Sequence, residues 1–482
     1  MSVRRSLAWA FSGQFITFAV QFAGSIIIAR LLSPRELGTY AIAMAALGLM
    51  QVFTTFGISS FIVRETELAP GTLESAFTVN AILAVSLSIL VFSVSFVAGP
   101  MLGETNAGPV LRVVAFANLF GILSFRPAAM LQRDMQFRQL SIIALTNGLM
   151  ATFSTVAFAL AGASYMSPAY GALIAAITGA VLTMTLGSRH VGFRLGLNGW
   201  RPITTFGLQM MSVSGVATIT GKLSDLVLGR ILGVAALGIY SRASNISGML
   251  FDNLYGTATR VIFVQLSKDY REGGEWSTTY LRGFAMLSAV MWPVLAGLAV
   301  LAQPAILILY GDKWLPAAGP LSALMVAQII GVGFGMNWEL FVLRGETGRQ
   351  ARYETMRLIF GVPIFVIGCL FGLVTAALAK IVDALIGLVV YYPHVRRLAE
   401  IGPREVPTIY RDSAALTLVA VSPSLALMMW HNWSAHTPIL EITATVTVGV
   451  VLWLALLFYI RHPLRDEIVM LFRKLPGTGV SP

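Results

Sequence analysis

The stretch from 75 to 99, SAFTVNAILAVSLSILVFSVSFVAG, runs without a single charged side chain. It is long enough to cross the hydrocarbon of a bilayer as a helix, which takes about 20 mostly apolar residues. Runs of the same kind lie near 7–29, 37–58, 109–131, 140–162, 168–187, 204–229, 236–262, 281–303, 317–343, 355–373, 374–395, 412–430 and 438–460. Across the 482 residues, 56% are hydrophobic and 11% charged, and the mean hydropathy is +0.78. A water-soluble chain carries about a quarter charged residues, so the main solvent here is lipid. The chain reads as an all-α polytopic membrane protein with 14 transmembrane helices. Its basic start and apolar body look like a signal peptide. But the apolar part is long and includes Gln14 and Gln21, so a retained first helix is expected. The least marked boundary is the uncharged turn near Gly372.

Basic residues in short loops set membrane orientation. With a cytoplasmic N-terminus, 23 of the 33 Lys and Arg fall on the inside. Arg30, Arg35, Arg112, Arg230 and Lys313 fall outside, and Arg126, Lys222, Arg242, Arg260 and Lys380 lie within spans. An error of one helix anywhere would collapse that bias. Both termini are therefore expected in the cytoplasm, and the net charge of +11 is accounted for without nucleic acid.

The segment ARLLSPRELGTYA at 29–41 recurs as GRILGVAALGIYS at 229–241, with Arg30, Leu32, Leu37, Gly38 and Tyr40 matching Arg230, Leu232, Leu237, Gly238 and Tyr240. The offset of 200 predicts two six-helix lobes, 1–200 and 201–396, with helices 13 and 14 and a tail appended over 397–482. An even number of spans per half makes the repeats parallel, related by an axis along the membrane normal. Two such bundles around a central cavity suit a carrier that opens alternately to either side.

ARLLSPRELGTYA after the first helix, FGISSFIVRE after the second and MLQRDMQFRQL after the fourth resemble the Wzx-type polysaccharide flippases. These belong to the multidrug/oligosaccharidyl-lipid/polysaccharide exporter superfamily. The resemblance extends along the whole chain, the span count included. It implies translocation of undecaprenyl-diphosphate-linked oligosaccharide repeat units across a bacterial inner membrane, for exopolysaccharide or lipopolysaccharide synthesis. It also implies a polysaccharide polymerase and a chain-length regulator as partners, beside the membrane lipids.

Charges within spans are the candidate site. Each costs about 2.5–3.5 kcal/mol at a helix centre. The five basic residues and four acids, Asp225, Asp252, Glu339 and Asp383, would cost on the order of 20–30 kcal/mol facing lipid. That exceeds a typical domain stability of about 5–15 kcal/mol, so they face one another or a wet cavity. Lys222 with Asp225 and Lys380 with Asp383 stand three apart on one helix face. Two readings stand: self-neutralising pairs, or lysines that meet the substrate diphosphate while the acids exchange a proton. Arg126 has no acid within a turn, and Glu339 is the partner expected for a cytoplasmic gate, with a static bridge as the alternative. Arg242 is a further candidate for the cavity. Arg30 and Arg230 either snorkel to headgroups or form a cationic pair at the cavity exit.

The single cysteine, Cys369, excludes an internal disulfide, and no cofactor or metal site is expected from the scattered histidines. GVGFG at 331–335 reads as small-residue helix packing, since no strand precedes it. With no nucleophile elbow or phosphate loop, the chain is not expected to be an enzyme. A multidrug antiporter, which attracts organic cations with carboxylates, and a lipid II flippase are the alternatives. Counting Arg30 and Arg230 at the helix ends, seven basic groups against four acidic ones at membrane depth favour an anionic cargo.

Overall fold

In hydrocarbon a backbone N–H or C=O has no water to bond, so a spanning segment must satisfy its own peptide groups. The computed structural model, which describes residues 3–52, 57–65 and 68–473, answers with helices alone among those residues. Ten segments among them are long and apolar enough to cross a membrane, counting the bent stretch Asp312–Leu343 as one. They correspond to ten of the fourteen expected spans. The other four expected spans, 7–29, 37–58, 204–229 and 236–262, fall mainly on the helices Val3–Leu31, Pro34–Gln51, Trp200–Leu232 and Val234–Arg271, and the described stretch Ile16–Leu31 of the first is apolar. The chain divides into two compact units, residues 1–241 and 242–482.

The first unit holds α1 (Val3–Leu31), α2 (Pro34–Gln51), α3 (Ile58–Arg64), α4 (Thr72–Val94), α5 (Ala98–Leu102), α6 (Ala107–Arg133), α7 (Phe137–Leu160), α8 (Ser167–Leu186) and α9 (Trp200–Leu232). It ends in the first turns of α10 (Val234–Arg271). Small residues let these helices approach closely, as lipid-embedded helices must in the absence of a hydrophobic drive. A Cβ on Gly171 would stand 2.1 Å from Thr155 Oγ1, and one on Gly179 2.4 Å from Asn147 Oδ1, so α8 lies tight on α7.

The start of α2 is written into SPRE. Ser33 N donates to Glu36 Oε2 at 2.7 Å, Glu36 N donates to Ser33 Oγ at 3.3 Å, and Pro34 occupies the first turn. This is a capping box, with two otherwise orphaned donors satisfied reciprocally. Its counterpart 200 residues on keeps the register by other means. Leu37 N donates to Ser33 O and Leu237 N to Gly233 O, at 3.1 and 3.2 Å. The two helix starts then meet. A Cβ on Gly38 would fall 1.7 Å from Val234 O, and one on Gly238 1.8 Å from Pro34 O. The contact is reciprocal: 38 meets 234 and 238 meets 34. Tyr240 is buried at 3% exposure beside this seam.

The second unit continues along α10 and adds α11 (Trp276–Val300), α12 (Ala302–Tyr310), α13 (Ala318–Gly333), α14 (Asn337–Leu343), α15 (Thr347–Leu370), α16 (Leu373–Ala399), α17 (Glu405–Trp430), α18 (Ile439–Tyr459) and α19 (Leu464–Arg473). The expected turn at Gly372 is present, with φ at 125° where a side chain would be strained. The expected span 317–343 is broken, since Met336 takes a left-handed φ of 58° between α13 and α14. α17 and α18 close on each other at Gly449, whose Cβ would sit 2.1 Å from Ala420 O. Trp453 Nε1 donates to Ala289 O at 3.1 Å, tying α18 to α11. Between α14 and α15, Glu346 holds Arg397 in a two-pronged pair at 2.9 and 2.5 Å, and Arg349 at 2.9 Å.

Alanine at Gly38 or Gly238 forces the α2 and α10 backbones apart and should lower stability by about 1–3 kcal/mol, the usual cost of overpacking. Alanine at Gly121 or Gly148, where a Cβ meets only open space, should leave melting in detergent unchanged or slightly raised. Arg397, then Arg349, holds the Glu346 carboxyl down at about 2 from an ordinary 4.5. A depressed acid stabilises above its unfolded value and loses that effect as pH falls through the folded one. Thermal stability should therefore drop between pH 4.5 and about 2, and Glu346→Gln should flatten that part of the profile.

Candidate functional site

Lys222 and Asp225 lie one turn apart on α9, with Nζ 3.8 Å from Oδ2 and side chains 38% and 31% exposed. The distance fits a Coulombic pair but is too long for a good hydrogen bond. The lysine stem lies against Gly48 of α2, where a Cβ would stand 2.8 Å from Cε. That contact packs the stem against α2.

The other candidates in the first unit are dispersed. Arg126 of α6 lies over the backbone of Gly192, where a Cβ would come within 2.4 Å of its Nη1. Its buried Nε finds no acceptor among the described residues. Arg30 and Arg230 end α1 and α9 as exposed side chains, and Arg230 Nη1 reaches the left-handed Gly103 between α5 and α6. Glu339, the gate partner expected for Arg126, belongs to the second unit.

There the expected pairing of Lys380 with Asp383 gives way to a different one. Asp383 takes Arg357 of α15 as its partner, at 3.2 Å. The same arginine meets Glu354 at 3.4 Å and stacks over the Phe334 ring at 5.7 Å. Tyr391 donates to the other oxygen of Glu354 at 2.6 Å. Glycines make room, with Gly361 facing Asp383 and Gly387 facing the guanidinium. Lys380 Nζ lies 4.6 Å from the Phe365 ring centre, a cation–π contact on α15. The geometric reason is that α15 and α16 form a tight hairpin through Gly372, and a guanidinium fork bonds a carboxylate better than a lysine one turn away. Arg242 lies beside Tyr310.

Sequence reasoning missed the way the α13–α14 break is held. Tyr410 donates to Gly333 O, Tyr280 donates to Gly335 O at 3.3 Å, and Met336 N donates to Tyr255 Oη at 2.6 Å. Three phenols from α17, α11 and α10 thus replace the helical partners lost at the bend. Glu339 stands within electrostatic reach of Tyr255 and Tyr280. The glycine-rich GVGFGM run was the available signal for a break. The Glu354–Arg357 spacing was the signal for the ion network.

An apolar groove of about 570 Å³ also opens in the second unit, between α11, α12, α17 and α18, lined by residues such as Val294, Ile308, Val446 and Trp453.

These features define a multi-pass, all-helical membrane protein that keeps charged groups inside its helical bundles. The chain belongs to the polysaccharide biosynthesis protein family, whose profile matches residues 27–319. It is 22% identical over 369 residues to the lipopolysaccharide biosynthesis protein WzxC of Escherichia coli (strain K12), covering 75% of this chain and 74% of that protein. It is 23% identical over 333 residues to the succinoglycan biosynthesis transport protein ExoT of Rhizobium meliloti (strain 1021), covering 68% of this chain and 66% of the relative. Among solved structures, the lipid II flippase MurJ in an inward closed conformation superposes with a TM-score of 0.75 at 16% identity, covering 95% of this chain and 99% of MurJ. At that identity the likeness speaks for the fold alone.

Arg357→Ala leaves Asp383 as an unpaired carboxylate in a largely buried position and should cost about 3–5 kcal/mol. The Arg357→Ala/Asp383→Ala double variant should lose markedly less than the two single losses summed, as read by thermal unfolding in detergent.

Proposed function

We propose that this chain is a flippase for undecaprenyl-diphosphate-linked oligosaccharide repeat units, moving them from the cytoplasmic to the periplasmic leaflet of a bacterial inner membrane. It serves exopolysaccharide or lipopolysaccharide assembly and makes or breaks no covalent bond. Membership of the polysaccharide biosynthesis family supports this reading, as does the likeness to a succinoglycan transport protein. Fourteen spans with both termini cytoplasmic form two six-helix lobes, 1–200 and 201–396, with 397–482 appended. The reciprocal Gly38–Gly238 contact, in register over 200 residues, supports the duplication.

Lys222 carries the mechanistic reading. Its ammonium is half-exposed at membrane depth and held only loosely by Asp225, so it retains donors for a diphosphate. Arg126, Lys380, Arg242, Arg30 and Arg230 contribute further positive charge along the path. Protonation of Asp225 or Asp383 weakens the grip on the neighbouring cation and resets the carrier. The sugars ride in the wet cavity and the prenyl chain stays in apolar surroundings. A polymerase and a chain-length regulator act downstream on the flipped product.

Deleting the gene should stop polymer export and leave lipid-linked oligosaccharide accumulating in the cytoplasmic leaflet. Unchanged export would overturn the assignment. Lys222→Ala should abolish export at normal protein level, and Lys222→Arg should retain a measurable fraction.

A further inference from the structure

A second polar site lies in the first unit, away from Lys222. A cleft of about 640 Å³ opens where the end of α3 meets the starts of α4 and α9, lined among others by Phe61, Arg64, Glu65, Thr72, Arg201 and Phe206. Arg64 is not a loose surface side chain. Its guanidinium carbon sits 4.7 Å from the Phe206 ring centre and 5.6 Å from that of Phe61, and Nη2 pairs with Glu65 at 2.7 Å. A ring beneath and a carboxylate to one side fix the plane of the fork, while 59% of the side chain stays exposed. Pre-orienting the fork reduces the ordering cost of binding a planar or tetrahedral oxyanion.

The backbone around the cleft adds to this. α9 starts at Gly199 without a side-chain cap and without an acid in its first turn, and Arg201 is its second residue. α4 starts at Gly71, likewise without a side-chain cap, though Glu74 lies in its first turn. Thr72 of α4 and Gly199 and Arg201 of α9 line the cleft, so two helix starts lie at its wall. The opposite end of α3 would repel an anion, but Arg133 reaches across from α6 and donates to the carbonyls of Ile62 and Glu65. Among the described residues that line the cleft, two arginines stand against Glu65, with Glu74 one turn into α4, and with that carbonyl edge neutralised the recess is positive and partly aromatic.

We infer that this cleft binds a phosphate-bearing lipid headgroup at the cytoplasmic mouth of the first unit, apart from the diphosphate site at Lys222. Its placement at the mouth rests on the proposed topology, but its anion chemistry does not. The shared chemistry is a lipid phosphate, supplied by the carried glycolipid or by an anionic phospholipid.

The full chain in neutral detergent is titrated with inorganic pyrophosphate, with thermal stabilisation as the readout. Lys222→Ala should still bind, whereas Arg64→Gln/Arg201→Gln in that background should bind about tenfold more weakly or worse. Both side chains are exposed, and equal melting without ligand checks the fold; Arg201→Gln alone should give a partial loss. In nanodiscs, adding phosphatidylglycerol to phosphatidylcholine should weaken pyrophosphate binding if phospholipid fills the cleft. It should leave binding unchanged if the glycolipid is the occupant. Equal binding by Lys222→Ala with and without the arginine changes, or no binding by Lys222→Ala at all, overturns the inference. Neither outcome touches the flippase assignment, which the deletion phenotype tests separately.

Discussion

Inside a bilayer a peptide group that leaves its helix must find another partner or lose several kcal/mol. That requirement shapes the second unit most visibly at Gly333–Met336, where α13 stops and α14 starts on a new axis. The bend persists because Tyr255, Tyr280 and Tyr410 present hydroxyls to the released backbone groups. Phenols suit this task because they combine a large apolar body with one polar atom. The bend in turn places Phe334 under Arg357 and sets Glu339 near the tyrosine cluster. Backbone saturation and charge placement are thus settled together.

Side-chain charges obey the same rule with two outcomes. Arg357, Glu354, Asp383 and Tyr391 form a closed network in which each charge has a short-range counterpart. Such a network locks α15 to α16 and has little left to offer a ligand. Lys222 and Asp225 sit farther apart and more exposed. Their attraction lowers the cost of insertion without using up the ammonium's donors. The difference between the two sites is one of slack.

Much of the architecture was legible because hydrocarbon imposes it. Runs such as 75–99 announce themselves by length and lack of charge, and ten expected spans recur as apolar helices. The turn at Gly372 was readable from glycine alone. Partner identity was not. Spacing within one helix suggested Lys380 for Asp383, but the carboxylate found Arg357, 26 positions away, across a hairpin. The break after Gly333 escaped notice because an apolar run stays apolar whether or not it bends.

The glycine seam between α2 and α10 has an evolutionary corollary. A side chain on either glycine would run into a backbone carbonyl of the other helix start, Val234 O or Pro34 O. Two positions 200 apart are therefore each held to glycine by main chain that no substitution on the opposite helix can remove. Recombination between relatives with a crossover anywhere from 38 to 238 unites seam halves of different ancestry. A chimera joined in that interval tests first whether the two helix starts still fit backbone to backbone.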